Sequence, residues 1–232
     1  MAEFHFVEDY ERHVADLVAT LPLDEAMSRA VGGAYRAIGE VEAQIVGYAG
    51  LADGMSLIDV GCGTARLGHV LGESMSIDYL GTDIVQTLLD YAKSKCPSAY
   101  RFKLHRELSI PASNDSVDMI CAFSVFTHLL HEESYIYLED MLRVLKPGGR
   151  IVFSFLELGG HGGVPWRIFA ASVEQKRTRT QAPLNMFIER CAIKMWAEHL
   201  GCAVVEFIDG DAAPHGGAPL GQSTVILRKQ QA

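Results

Sequence analysis

Residues 57–68 read LIDVGCGTARLG, and their types suit ligand binding at the end of a buried strand. The apolar run ends beside Asp59, Gly61 and Gly63 form a tight turn, and a helix is predicted to open near Ala65. Glycines let the backbone approach a ligand closely, and a helix start offers free N–H groups and a partial positive charge. The stretch therefore predicts a site for a ligand with an anionic or hydroxyl-rich part.

Two ligand classes compete for this turn. A dinucleotide fingerprint has the pattern G-x-G-x-x-G, but Arg66 occupies the third glycine position. A pyrophosphate would gain nothing from Asp59 before the first glycine, whereas a carboxylate there suits a cationic group such as the ammonium of an amino acid. Asp83, twenty residues beyond Gly63, can accept hydrogen bonds from ribose hydroxyls in either class.

Three later stretches extend the pattern: YLGTDI, ending at Ile84; IPASNDSVDMICAFSVFTHL at 110–129; and LEDMLRVLKPGGRIVFSF at 138–155. With the glycine turn, they resemble the ordered motifs of class I S-adenosylmethionine (SAM)-dependent methyltransferases that act on small molecules. The Pro-Gly-Gly turn discriminates best, because dehydrogenases have no reason for it there. The resemblance covers residues 40–156 closely and 189–228 in architecture.

The resemblance implies that SAM binds at the carboxyl edge of the sheet and leaves as S-adenosylhomocysteine. Asp83 would hold the ribose, and the fourth strand would end beside the sulfonium. Arg106 stands nearest the position where the family commonly has an acidic residue for adenine, and Glu107 could supply the carboxylate after a one-residue shift. The implied cofactor-binding residues are Asp59, Gly61, Cys62, Gly63, Arg66, Asp83, Ile84, Glu107, Phe123 and Ser124.

The implied reaction moves a methyl group by in-line displacement, so alignment of the reactants supplies much of the catalysis. An oxygen nucleophile must also lose its proton, and histidine is the usual base near neutral pH. Three of the nine histidines, His128, His161 and His215, fall on loops at the ligand-binding edge. They are the candidate catalytic residues, with a structural role as the alternative for each. No cluster of metal ligands stands out, and no metal is predicted.

The sequence says less about the methyl acceptor than about the methyl donor. The fourth strand ends in CAFS, which differs from the motifs of enzymes that methylate adenine amino groups or cytosine C5. Residues 157–200 carry six basic and four acidic side chains. Lys176, Arg177 and Arg179 crowd four positions there, and they form either a solvated face or a site for an anionic acceptor. We predict methyl transfer to an oxygen of a small molecule, such as a sugar or secondary metabolite. Transfer to nitrogen or carbon, and a non-catalytic SAM-binding regulator, remain alternatives.

Short apolar runs alternate with helical patterns beyond residue 57, which is typical of an α/β protein with a parallel sheet covered on both faces. The predicted strands are 57–60, 78–81, 100–104, 117–123, 150–155, 203–208 and 224–228, and the predicted helices between them are 65–73, 84–95, 131–145 and 189–200. Only residues 209–222 join the last two strands, too few for a helical crossover, so the last strand should run antiparallel. The fold is thus a doubly wound, Rossmann-like sheet of seven strands.

Residues 5–49 read as helix, with a break at Pro22 and either a kink or close packing at Gly32-Gly33. We therefore expect one methyltransferase domain over residues 1–232. Its parts are a helical N-terminal cap (1–50), a SAM-binding core (51–156), an acceptor-side insertion (157–190) and a closing helix and hairpin (191–232).

Composition limits the partners. The 232 residues are 49% hydrophobic and 21% charged, as in a packed chain, and the net charge of −9 disfavours nucleic acid. No apolar run reaches the roughly 18–20 residues of a membrane span. No secretory signal is recognisable, and five cysteines without a CxxC pair fit reduced thiols, so we expect a cytoplasmic protein.

Residues 1–60 carry a net charge of −8, which either favours capture of cationic SAM or serves solubility. The sequence leaves the oligomeric state open.

Overall fold

The computed structural model describes residues 7–159, 163–179 and 184–231. Three helices come first: α1 (Val7–Thr20), α2 (Leu23–Ala30) and α3 (Tyr35–Tyr48). Seven strands follow: β1 (Ser56–Val60), β2 (Asp78–Asp83), β3 (Arg101–Leu104), β4 (Val117–Ala122), β5 (Leu145–Phe155), β6 (Cys202–Ile208) and β7 (Ser223–Lys229). The intervening helices are α4 (Arg66–Ser74), α5 (Gln86–Lys95), α6 (His131–Val144), α7 (Val164–Thr178) and α8 (Arg190–His199).

The strands form one sheet in the order β3-β2-β1-β4-β5-β7-β6. All neighbouring pairs from β3 to β5 are parallel, whereas β7 runs antiparallel to both β5 and β6. The predicted seven-stranded α/β sheet with an antiparallel last strand is confirmed. Its central strands are buried because helices cover both faces, as continuous apolar runs require.

Two local predictions need correction. Gly32 and Gly33 do not kink one helix: both have positive φ angles, 87° and 83°, so α2 ends before them and α3 starts anew at Tyr35. The Pro-Gly-Gly turn does not precede the fifth strand but lies inside β5, which begins at Leu145 and pairs irregularly with β4. A side chain at Gly149 would have its Cβ 2.9 Å from the Asp118 carbonyl oxygen, so glycine permits this close pairing.

Close packing attaches the N-terminal helices to the rest of the protein. Val14 of α1 and Met27 of α2 pack with Val85 and Leu88 in a small apolar cluster. Helix α3 packs on α4, where a Cβ on Gly39 would stand 2.5 Å from a backbone oxygen of α4. These contacts place the cap over the carboxyl ends of β1 and β2.

Candidate active site

A cavity of about 420 Å³ lies at the carboxyl ends of β1, β2 and β4. Strands β2 and β4 lie on opposite sides of β1, so the order in which strands are added to the sheet reverses at this point. Doubly wound folds bind their ligands at such a reversal. The cavity is lined by nine of the ten residues implied for the cofactor: Asp59, Gly61, Cys62, Gly63, Arg66, Asp83, Ile84, Phe123 and Ser124. The motif residues are thus brought together, and Glu107 is not among the lining residues.

The turn after β1 requires glycine at two positions, because of its backbone conformation and because side chains there would collide with neighbouring valines. Gly61 and Gly63 have φ angles of 65° and 54°. A Cβ would lie 2.4 Å from Val125 at the first position and 2.6 Å from Val31 at the second. Ala65 also has a positive φ of 54°, so α4 begins one residue later than the pattern suggests.

Asp83 is anchored at the end of β2 by backbone donors. The Gly63 N–H donates to its Oδ2 at 2.8 Å, and the Val85 N–H donates to its Oδ1 at 2.9 Å. Burial raises the pKa of this carboxyl, and the two backbone donors oppose that shift. Each oxygen keeps a further lone pair, so the group can still accept hydrogen bonds from ligand hydroxyls.

Asp59 lies deeper and has two protein partners. Tyr79 donates its hydroxyl hydrogen to Oδ2 at 2.6 Å, and the Cys121 thiol lies 3.6 Å from Oδ1. Burial raises the pKa of Asp59 to about 7, although the Tyr79 hydrogen bond acts against this. A cation bound in the cavity beside Asp59 would favour the ionised form.

Arg66 has a protein partner that the sequence did not reveal. Its Nη2 and Nε donate to Oε1 of Glu42 at 2.6 and 2.9 Å, and its Nη1 donates to the Val31 carbonyl at 2.7 Å. Burial raises the pKa of Glu42, and Arg66 opposes the shift. Arg66 thus ties the cap to the glycine turn, and its guanidinium is already engaged.

The segment after β3 differs from the implied adenine site. His105 lines the cavity, and its backbone N–H donates to the Asp83 carbonyl at 2.9 Å. Arg106 turns to the Ile84 carbonyl and to the Glu11 carboxylate of α1. His105 rather than Glu107 therefore faces the cavity from this segment.

The three candidate histidines have different surroundings. His128 ends a short 3-10 turn after β4 and lines the cavity, with its Nδ1 2.6 Å from the Leu184 carbonyl oxygen. A carbonyl only accepts, so Nδ1 carries hydrogen and Nε2 keeps a lone pair in the neutral ring. Burial lowers the pKa of His128, which favours that neutral form. His215 sits on the β6–β7 loop outside the cavity lining, and His161 lies outside the described residues.

Several lining residues come from segments without a recognisable motif. They are Tyr10 and His13 of α1, Arg29 of α2, Tyr137 of α6, and Asn185 and Gln222. Helical periodicity reports which face is apolar, not which polar residue reaches a distant cavity. Only the polar or aromatic character of these positions hints at a role.

Two further searches concern the described residues alone. Within residues 7–159, 163–179 and 184–231, no group of three or more His, Cys, Asp and Glu side chains could hold a metal ion. In the same part of the chain, no helix has the length and apolar character needed to cross a bilayer.

The sheet order, the glycine turn after β1 and the acidic end of β2 define the class I SAM-dependent methyltransferase fold. Residues 58–153 match the family model described as a methyltransferase domain. The resemblance inferred from the motifs is therefore confirmed.

Known proteins extend the match beyond this core. The biotin biosynthesis bifunctional protein BioHC of Cellvibrio japonicus is 26% identical over 214 residues, which cover 88% of this chain and 39% of that protein. Demethylmenaquinone methyltransferase of Lactococcus lactis is 30% identical over 106 residues, 43% of this chain and 41% of that protein. The chain thus spans about two fifths of the length of these curated relatives.

Two solved structures share the fold across nearly the whole chain. Magnesium protoporphyrin IX methyltransferase (ChlM) of Synechocystis PCC 6803, with bound S-adenosylhomocysteine, has a TM-score of 0.64 and 14% identity; the match covers 97% of this chain and 96% of that one. A TehB-like SAM-dependent methyltransferase of Corynebacterium glutamicum has a TM-score of 0.57 and 20% identity, with 97% and 98% covered.

Proposed function

We propose that the chain binds SAM and transfers its methyl group to an oxygen atom of a small-molecule acceptor, releasing S-adenosylhomocysteine. The observation that carries this proposal is a single cavity lined by the glycine turn, Asp83 and His128. The match to a methyltransferase domain and relatives named as methyltransferases support it.

The residues at the carboxyl edge fit SAM chemically. Gly61 and Gly63 bring the backbone to the cavity wall without a side chain, and Asp83 retains lone pairs for ribose hydroxyls. Asp59 places a buried carboxyl at the cavity, and an ammonium group bound beside it would favour its ionised form. When bound, SAM supplies an electrophilic methyl group on a sulfonium.

His128 is proposed as the general base. Its Nε2 lone pair would take the proton of the acceptor hydroxyl, and the Leu184 carbonyl would hold the imidazole orientation through Nδ1. Tyr10 of the cap packs edge-on against the ring, with centroids 5.6 Å apart, and so helps to exclude water from the base.

The acceptor is proposed to lie beneath α7 and to carry an anionic group. Asn185 lines the cavity and also an open groove, which holds the aromatic rings of Phe169 and Phe187 and the cations Lys176 and Arg177. The two rings pack edge to face, with centroids 5.6 Å apart. A ring on this apolar floor would place a carboxylate or phosphate near the two cations.

A turnover assay tests the proposal. Methyl-labelled SAM is incubated with the protein and panels of nucleotide sugars, phenols, hydroxy acids and amines, and labelled products are identified by mass spectrometry. We expect a product methylated on oxygen. Methylation on nitrogen or carbon would contradict the acceptor assignment, and silence across all panels would favour a non-catalytic SAM-binding protein.

Matched variants test the assigned residues in the same assay. His128→Asn should lower turnover by about 10²–10⁴-fold, the usual contribution of a general base, whereas His215→Asn should leave it unchanged. Asp83→Asn should weaken S-adenosylhomocysteine binding in calorimetry. Tight binding of NADH by the native protein would overturn the assignment to methyl transfer.

A further inference from the structure

Three polar side chains close a ring of hydrogen bonds at the cavity wall. The backbone N–H of Ser124, just after β4, donates to Oγ of Ser154 on β5 at 2.7 Å. The Ser154 hydroxyl donates to Oε1 of Gln222, one residue before β7, at 2.7 Å. Gln222 returns to Ser124, where its Nε2 donates to Oγ at 3.0 Å. Both Ser124 and Gln222 line the cavity.

The direction of each hydrogen bond follows from burial and chemistry. A backbone N–H can only donate, so Ser154 Oγ must accept from Ser124. Ser154 is fully buried, so its own hydroxyl hydrogen needs an acceptor, which Gln222 Oε1 provides. A flipped Gln222 amide would leave that buried hydrogen without a partner, which is unfavourable. The amide nitrogen of Gln222 therefore faces Ser124.

With the hydrogen bonds in these directions, the hydroxyl hydrogen of Ser124 has no acceptor within the ring. The Ser124 Oγ already accepts from Gln222, and no atom among the described residues accepts the Ser124 hydroxyl hydrogen. The Ser124 backbone is held in one conformation, because its carbonyl accepts from Thr127 Oγ1 at 2.9 Å and its φ is 58°, and the Gln222 amide holds the side-chain oxygen. Such a left-handed conformation is unfavourable for serine and persists only where its surroundings impose it.

We propose that the Ser124 hydroxyl donates a hydrogen bond to the methyl acceptor, and that Ser154 and Gln222 are positioning residues that aim it. The inference rests on the proposed function. It defines the acceptor as a molecule with an oxygen lone pair beside the methylated atom, such as a hydroxyl, carbonyl or carboxylate. The proposal moves the Ser124 hydroxyl from the implied cofactor-binding set to the acceptor. The cationic sulfonium, which the resemblance places beside the end of β4, is a poor hydrogen-bond acceptor, whereas an oxygen of the methyl acceptor is a good one.

The substitution Gln222→Glu reverses the key contact while keeping the shape of the side chain. An ionised carboxylate accepts from both serines and draws the Ser124 hydrogen away from the cavity. Ser124→Ala removes the same donor without adding charge. Gln231→Glu, at an exposed position, is the control for the added negative charge.

All variants are assayed with methyl-labelled SAM and the acceptor panel, and their binding of S-adenosylhomocysteine is measured by calorimetry. Gln222→Glu and Ser124→Ala should each lower kcat/KM for the acceptor about ten- to hundredfold, as loss of one hydrogen bond predicts. The double variant should be no worse than either single one, because both act through one hydroxyl. Affinity for S-adenosylhomocysteine should stay within about twofold of native.

The pH profile separates positioning from a merely structural role. Once protonated, the carboxyl introduced at position 222 can donate to Ser124 as the native amide does. The ratio of Gln222→Glu turnover to native turnover should therefore rise as pH falls through the pKa of that carboxyl. A structural defect would give a constant ratio.

The outcomes separate this inference from the proposed function. If the native protein labels no acceptor, both fail. If it labels one, and Ser124→Ala turns it over as fast as native, only the inference fails. Loss of S-adenosylhomocysteine affinity in Ser124→Ala would assign the hydroxyl to the donor and overturn the inference as well. If Gln222→Glu does not fold, Ser124→Ala alone still tests whether the Ser124 hydroxyl serves the acceptor.

Discussion

Replacing Asp59 with Asn should remove a large pH-dependent contribution to folding stability. The carboxyl is fully buried, and its pKa in the folded chain is about 7 against an ordinary value of 3.8. Burial is the main cause, since it penalises the ionised form. Asn keeps an oxygen that can accept from Tyr79 but cannot titrate, so the substitution isolates the effect of the charge.

The magnitude and sign follow from the shift. Three pKa units correspond to roughly 4 kcal/mol. The folded state holds the proton more tightly than the unfolded state, so stability is highest below the ordinary pKa and falls as pH rises. The native chain should therefore lose up to about 4 kcal/mol from Asp59 between pH 4 and pH 8, and Asp59→Asn should not.

Urea unfolding of the ligand-free protein at several pH values checks this. The free energy of unfolding of Asp59→Asn minus that of native should grow by about 3–4 kcal/mol from pH 4.5 to pH 8. Asp16→Asn, which removes an exposed carboxylate, is the control for the loss of a charged side chain. A constant difference for Asp59→Asn would refute the reasoning, because the buried carboxyl would then titrate alike in both states.

The same titration should couple to ligand binding. If the ammonium of S-adenosylhomocysteine lies beside Asp59, ion pairing favours the carboxylate, and native affinity should increase as pH rises through about 7. Calorimetry at pH 6 and pH 8 should show this increase in the native protein and not in Asp59→Asn.

Three further outcomes are expected. Tyr79→Phe should lower the free energy of unfolding by about 1–3 kcal/mol, because it removes a donor to a buried carboxyl. Tyr100→Phe is the control: its hydroxyl finds no partner among the described residues, so the free energy of unfolding in urea should change by less than about 0.5 kcal/mol. Arg66→Met should cost about 3–5 kcal/mol because Glu42 is left buried alone, and adding Glu42→Leu should recover most of that loss. Because burial lowers the pKa of His128 from 6.5, kcat/KM should decline only below that pH; an acidic limb above it would exclude His128 as the base.

The sequence predicted the sheet well because burial on both faces leaves a strong local signal. The seven strands lie within a residue or two of the apolar runs, except β5, whose first residues Leu145–Gly149 look like a turn. Proline and two glycines normally mark turns. Here the strand continues through them, because Leu145 pairs with Val117 before them and Arg150 pairs with Met119 after them. The helix α7 escaped prediction for a related reason: its glycine-rich approach resembles a loop, and only Pro165 of its residues is buried.

The cofactor half of the site was predictable because its residues sit at strand ends in short motifs. Asp83 and the glycine turn lie together whenever β1 and β2 are neighbours in the sheet. The roles of Arg66 and Gln222 were not predictable, because each depends on a partner far away in sequence. Glu42 is 24 residues from Arg66, and Ser124 is 98 residues from Gln222. No periodicity or spacing rule encodes such contacts.

Acidic residues of the N-terminal cap also form ion pairs with the rest of the protein. Three of its carboxylates pair with cations of the body: Glu11 with Arg106, Asp24 with Lys95, and Glu42 with Arg66. The first two pairs are exposed enough for salt to screen them, and each contributes little. The buried third pair and the apolar packing of α1 and α2 must therefore hold the cap in high salt. Part of the acidity near the N-terminus thus attaches to the body a cap whose Tyr10 packs against His128.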